Sequence, residues 1–221
     1  GDFAVNTSGM VTNIAAGSYT TFKVVFDPAT TGTKTGIVNI ANSDSTGGEN
    51  PYDFKVEGVG ITAEIDLLGT NMASIADGEN SPTLAKGTLF SDQETSGGSI
   101  TNTFVVTNTG TAVLYLPGSG IVTLTGDTGD FSVDTAGMVT NIAAGSYTTF
   151  KVIFDPATTG TKTGIVNVAN SDSTGAENPY DFKVQGVGIT AEIDLLGTNM
   201  TSIADGENSP TLAKGTLFSD Q

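Results

Sequence analysis

The side chains able to do chemistry in this 221-residue sequence are nearly all carboxylates and amides, and they gather in short loops. One loop, NSDSTGGENPYDF, carries Asp44, Glu49, Asn50 and Asp53, and it returns later with Asp172, Glu177, Asn178 and Asp181. Several oxygen ligands on a glycine-containing turn are what Ca²⁺ takes, because it accepts six to eight hard ligands in flexible geometry. A second loop, SIADGENSP, offers Asp77, Glu79 and Asn80, and Glu64 and Asp66 stand close enough in sequence to join it. Calcium held there would stiffen a joint between domains. The spacing in either loop matches no strict calcium template. The competing reading makes Asn42 and Asp44 turn formers that bond the backbone through their side chains, and makes Asp77-Gly78 an ordinary turn on a solvated acidic face.

Other chemistry is sparsely supplied. Lys23, Lys34, Lys55 and Lys86 could form isopeptide links to Asn or Asp only if buried beside a carboxyl group, and Lys23 and Lys55 alternate outward from phenylalanine neighbours. The exposed Ser/Thr loops, such as Asp44-Ser45-Thr46, suit O-glycosylation but read equally as turns. There is no His and no Cys, which removes Ser-His-Asp chemistry, thiolate metal sites and disulfides together. Nothing marks a carboxylate pair with one raised pKa in a cleft. The sequence therefore predicts no enzyme and no required cofactor. With 8 Lys, no Arg and 24 acidic residues the net charge is −16, a field that repels nucleic acid and anionic membrane surfaces alike. No apolar run of about 18 residues would insert into a bilayer.

The elements that must position these loops are strands. In GSYTTFKVVFDP, Phe22, Val24 and Phe26 fall on one face and Thr21 and Lys23 on the other, the period of two expected of a strand over a core. TGIVNIAN and PYDFKVEG read as two further strands, the latter with Phe54 and Val56 inward and Lys55 and Glu57 outward. AEIDLL, TNTFVVTN, AVLYLP, GIVTLTG and DFSVD supply the rest, and no helical period competes. The Ser74–Gly98 stretch, rich in Gly, Ser, Asp and Glu, reads as an irregular excursion that either binds a partner or packs on the domain.

The sequence also repeats itself. Residues 1–93 return as residues 129–221, an offset of 128, with eight differences, nearly all conservative. That period is too long for a solenoid turn and suits one β-sandwich domain, so the expected architecture is beads on a string. With the boundary in VEGVGITAEIDLLG, residues 1–62 are the C-terminal part of one unit, 63–190 a complete unit, and 191–221 the N-terminal part of the next. The expectation is an excerpt of a longer array in which neighbouring copies supply missing strands.

The segments FxVxFDPxxxGxxxGxVxIxNxD and ENPYDFxVxGxG, with AEIDLLGTN, SIADGENSP and TNTFVVTNTGTAVLYL, resemble the choice-of-anchor D repeats of bacterial surface proteins, relatives of the ASPM, SPD-2 and Hydin group. The resemblance implies tandem immunoglobulin-like β-sandwiches and brings no catalytic residues with it. It further implies a stalk or adhesin module of an extracellular or cell-surface bacterial protein, and the near-identity of the copies makes a structural spacer of a fibre, stalk or adhesin the first expectation, with neighbouring repeats or copies of itself as partners. The alternative is an adhesion module that binds surface glycans or proteins multivalently.

Overall fold

The computed structural model describes residues 1–118 and 120–218, so the last three residues of the third segment lie outside the described part. The described residues are all-β apart from two single-turn 3₁₀ segments. Its strands are β1 Phe3–Asn6, β2 Lys23–Phe26, β3 Gly32–Ile40, β4 Tyr52–Gly60, β5 Ile65–Leu68, β6 Ser74–Ile75, β7 Gln93–Glu94, β8 Ile100–Asn108 and β9 Leu114–Tyr115. There follow β10 Val122–Gly126, β11 Phe131–Asp134, β12 Asn141–Ile142, β13 Tyr147–Phe154, β14 Gly160–Val168, β15 Tyr180–Ile189, β16 Leu195–Leu196 and β17 Ser202–Ile203.

Residues 63–190 hold two main sheets, a five-stranded one in the order β11-β13-β8-β5-β6 and a four-stranded one in the order β10-β14-β15-β7, with β9 and β12 paired apart from both. Alternation decides which side chains lie between them. Phe150, Val152 and Phe154 of β13 are buried while Thr149 and Lys151 face solvent, and Phe182 and Val184 of β15 do the same from the other sheet. The rings of Phe104 on β8 and Phe182 meet across the sandwich at 5.2 Å between centroids. Burying side chains of this size contributes about 1.5–3 kcal/mol each, and the whole contiguous core lies between Ile65 and Val184.

Phe154 needs a glycine opposite it. A Cβ at Gly186 would sit 2.5 Å from the Phe154 ring, and one at Gly58 would sit 2.7 Å from the ring of Phe26, the same pair one repeat earlier. The first glycine of VEGVG and of VQGVG is therefore a seat for an aromatic ring, each within a regular strand.

Near-identical sequence gives different strands where the neighbours differ. β13 begins at Tyr147 because its first half pairs with β8, Tyr147 opposite Thr107. The matching residues 19–22 have no strand beside them among the described residues, and β2 begins only at Lys23, where pairing with β1 starts. Likewise Ile65 and Leu67 are buried under β8, whereas their repeats Ile193 and Leu195 are exposed.

The Ser74–Gly98 excursion proves to be a packing element. It lays two patches along the free edge of β15 in parallel orientation, one through the Glu79–Phe182 bridge and one through Leu89–Gln185 and β7. Phe90 drops from it into the core against Phe131 and Phe154, at 5.6 and 5.7 Å between ring centroids. Edge protection of this kind covers the unpaired groups that would otherwise template pairing with another chain.

Candidate functional site: an acidic cluster at one end of the sandwich

The repeated loop builds itself from its own amides. Asn170 is buried, and its Nδ2 donates to the carbonyls of Val168 and Glu177 while its Oδ1 accepts the Asp172 N–H at 2.8 Å. Asn178 Oδ1 accepts the Asn170 N–H, so Asn178 closes the loop from the other side. Asp172 Oδ1 in turn accepts the Thr174 N–H at 2.7 Å. The first copy repeats every one of these bonds through Asn42, Asp44, Thr46, Glu49 and Asn50. The loop conformation is thus local Asx-turn chemistry, independent of what lies next to it.

What lies next to it differs between the copies. Within residues 63–190, Asp172 Oδ2 accepts the Ile65 N–H at 2.9 Å, a bond spanning 107 residues that fastens the start of β5 to the loop. This brings Glu64 in, and Glu64, Asp172 and Glu177 each place a carboxylate oxygen within 4.8 Å of the others. The Thr174 hydroxyl lies 2.8 Å from both Glu64 Oε2 and Asp172 Oδ1, and it has one proton to give. Glu177 Oε2 is buried with no hydrogen-bond partner among the described residues. Burial is the largest influence raising the Glu177 pKa above its ordinary value, followed by the charges of Glu64, Asp172, Asp77 and Asp66. Burial likewise raises Asp66, and raises the phenol of Tyr180, whose hydroxyl donates to the Ile75 carbonyl. A carboxylate group of this kind, with acceptors in excess of donors, is suited to hold a proton or a divalent cation.

The other expected ligands lie elsewhere. Asp77 Oδ1 accepts the Asp181 N–H, joining the excursion to β15, so these two serve the sheet edge. Glu79 pairs with Lys86 and accepts the Ala76 N–H. Asp53 stands on β4 opposite Asn39, and Asp44 and Glu49 meet no third carboxylate among the described residues. Glu64 therefore belongs with the Asp172 loop rather than with Asp77 and Glu79. Nothing local in the sequence signals that pairing, which depends on β5 and the end of β14 sharing one end of the sandwich.

The same end carries the short link from β4 to β5. The Thr111 and Ala112 N–H groups both donate to the Thr62 carbonyl, at 2.7 and 2.8 Å, and the Thr109 N–H donates to Glu64 O at 2.9 Å. Asn108, buried, braces this turn by donating to the carbonyls of Ala112 and Ile142 and accepting from Gly110. Pro28–Thr31 and Gly60–Thr62 of the preceding segment face Ser173 and Thr174 across a shallow cleft.

No family model matches the chain, and no curated protein is a significant match. Solved structures with similar outlines include a protein of unknown function from Porphyromonas gingivalis W83, at 12% identity over 84% of each chain with a TM-score of 0.41. The surface layer protein SbsC, domains 1–6, matches at 14% identity and TM-score 0.35, over 94% of this chain, which spans 24% of that one. The ASH/PapD-like domain 7 of human CEP192 matches at 13% identity and TM-score 0.34, over 59% of this chain and 89% of the domain. Likeness at this level carries no argument about function.

Proposed function

We propose that the chain is a stretch of a spacer array, in which immunoglobulin-like sandwich units of 128 residues follow one another to set the length of an extracellular bacterial fibre, stalk or adhesin. The observation that carries this reading is the stitched joint. The chain passes from β4 to β5 through a few residues, and Thr62 and Glu64 are both held by backbone bonds to the Thr109–Ala112 turn. A linker bonded in this way gives each unit a preferred orientation on the last.

The path through a unit supports extension. Residues 63–190 begin beside Asp172, where the Ile65 N–H is bonded, at the end where β15 starts, and β15 then runs ten residues to Ile189. At about 3.3 Å per residue, its ends are some 30 Å apart, so a unit is joined to its neighbours at opposite ends. Interchangeable units, differing at eight of 93 compared positions, suit a length-setting task better than a unique binding site. The Ser74–Gly98 excursion lies along β15, which favours a packing role for it.

The test is solution scattering on arrays of one to four copies of residues 63–190. A maximum dimension that grows by a constant increment per unit is expected. Growth resembling a flexible coil, with the increment shrinking as units are added, contradicts the reading.

A further inference from the structure

The spacer reading leaves open how a unit meets tension, and the hydrogen bonds along β15 bear on it directly. We propose that residues 77–95 are a shear clamp that holds the outgoing strand β15 when the array is pulled. The inference rests on the spacer reading, since it needs load to enter at Thr62 and leave at Thr190.

β15 is bonded along both edges. One edge pairs antiparallel with β14 over nine residues, Gly160 opposite Gly188 through Val168 opposite Tyr180. On the other edge Gly78 N–H donates to Asp181 O at 2.8 Å, Lys183 N–H to Glu79 O at 2.8 Å, Gln185 N–H to Thr88 O at 2.9 Å and Phe90 N–H to Gln185 O at 2.7 Å. Thr95 N–H adds a last bond to Ile189 O at 2.9 Å. The second edge is parallel to β15 and runs from the incoming end of the unit to the outgoing end. Thr88 and Phe90 beneath it are buried, which keeps water from replacing these bonds one at a time.

The weakest attachment at the incoming end is β5, paired with β8 over four residues. Once tension strips β5 and β6, the next bonded segment is 77–95. That segment is then pulled at its N-terminal end while β15 is pulled at its C-terminal end. Parallel neighbours loaded at opposite ends can only slide, so their bonds share the load and fail together. Loaded at the same end, at Thr95 and Ile189, the identical bonds peel in sequence.

That contrast is measurable in the full 221-residue chain, which has no cysteine, so paired cysteines attach handles at chosen points only. Ile61→Cys with Thr190→Cys applies end-to-end load. Ser96→Cys with Thr190→Cys applies the peeling load to the same bonds. Optical-trap or force-microscope unfolding is expected to need severalfold more force end to end, with an intermediate after release of the residues before Asp77. Gln185→Pro deletes one donor on the clamp side, where both backbone groups of Gln185 point, and is expected to lower the end-to-end force of the intermediate. Equal forces along the two axes, or one-step end-to-end unfolding with no intermediate, overturn the clamp. If Gln185→Pro does not fold, the comparison of axes on the unchanged clamp still decides. Rigid spacing by scattering together with equal forces would remove the clamp and leave the spacer reading intact, whereas coil-like scattering would remove the spacer reading itself.

Discussion

Gly110→Ala isolates the joint from the rest of the fold. A Cβ at Gly110 would lie 2.5 Å from both Glu64 N and Thr62 O and 2.7 Å from the Ala63 carbonyl carbon, all backbone atoms that cannot rotate aside. Either the linker moves off the Thr109–Ala112 turn or the turn distorts. Moving off breaks the two bonds to Thr62 O and the one to Glu64 O. At about 1 kcal/mol net for each bond, the cost is about 2–4 kcal/mol, drawn from the joint rather than from the core. Urea unfolding followed by tyrosine fluorescence reads the stability of the complete unit, and hydrogen exchange at Thr109, Thr111 and Ala112 reads the joint. The expected result is faster exchange at those amides and a lower unfolding midpoint. Gly129→Ala is the control, since a Cβ there meets nothing within 4 Å. Unchanged exchange in Gly110→Ala would refute the claim that close backbone packing fixes the linker.

Three further outcomes follow from the same geometry. Gly186→Ala forces a methyl against the buried Phe154 ring and should destabilise the unit by about 1–3 kcal/mol in denaturant unfolding, the usual cost of overpacking. The raised pKa of Glu177 means that the folded unit holds a proton after the unfolded chain has released it, so the stability it contributes is present in acid and is lost as pH rises through the folded value. Urea midpoints between pH 4 and 8 should therefore fall with rising pH less steeply in Glu177→Gln than in the unsubstituted chain. Calcium binding is checked with the same variant: a cation seated among Glu64, Asp172 and Glu177 raises the melting temperature in millimolar Ca²⁺ and does so less in Glu177→Gln, while no shift in either retires the calcium expectation.

Much of the fold can be read from the sequence because strand periodicity is a local property. The inward set of β13 and β15 follows from alternation alone, and the Asx turns of the two ENP loops follow from residue type. What could not be read depends on partners distant in the chain. The excursion looks irregular because its strands are two residues long and take their shape from β5 and β15. The acidic cluster draws Glu64 to a loop more than 100 residues away, and the only trace of that in the sequence is a carboxylate at the start of a strand. The unequal lengths of β2 and β13 make the same point, since near-identical residues form a strand only where a neighbour offers bonds.

The proposed joint between units is tested most directly by distance measurement across it. In two consecutive copies of residues 63–190, Thr103→Cys in each places a spin label on an exposed strand position of either unit. A single narrow distribution of label separations is expected, broadened when Gly110→Ala is introduced in the second copy. A broad distribution in the unsubstituted pair, unchanged by that substitution, would contradict a joint held by Thr62, Glu64 and the Thr109–Ala112 turn.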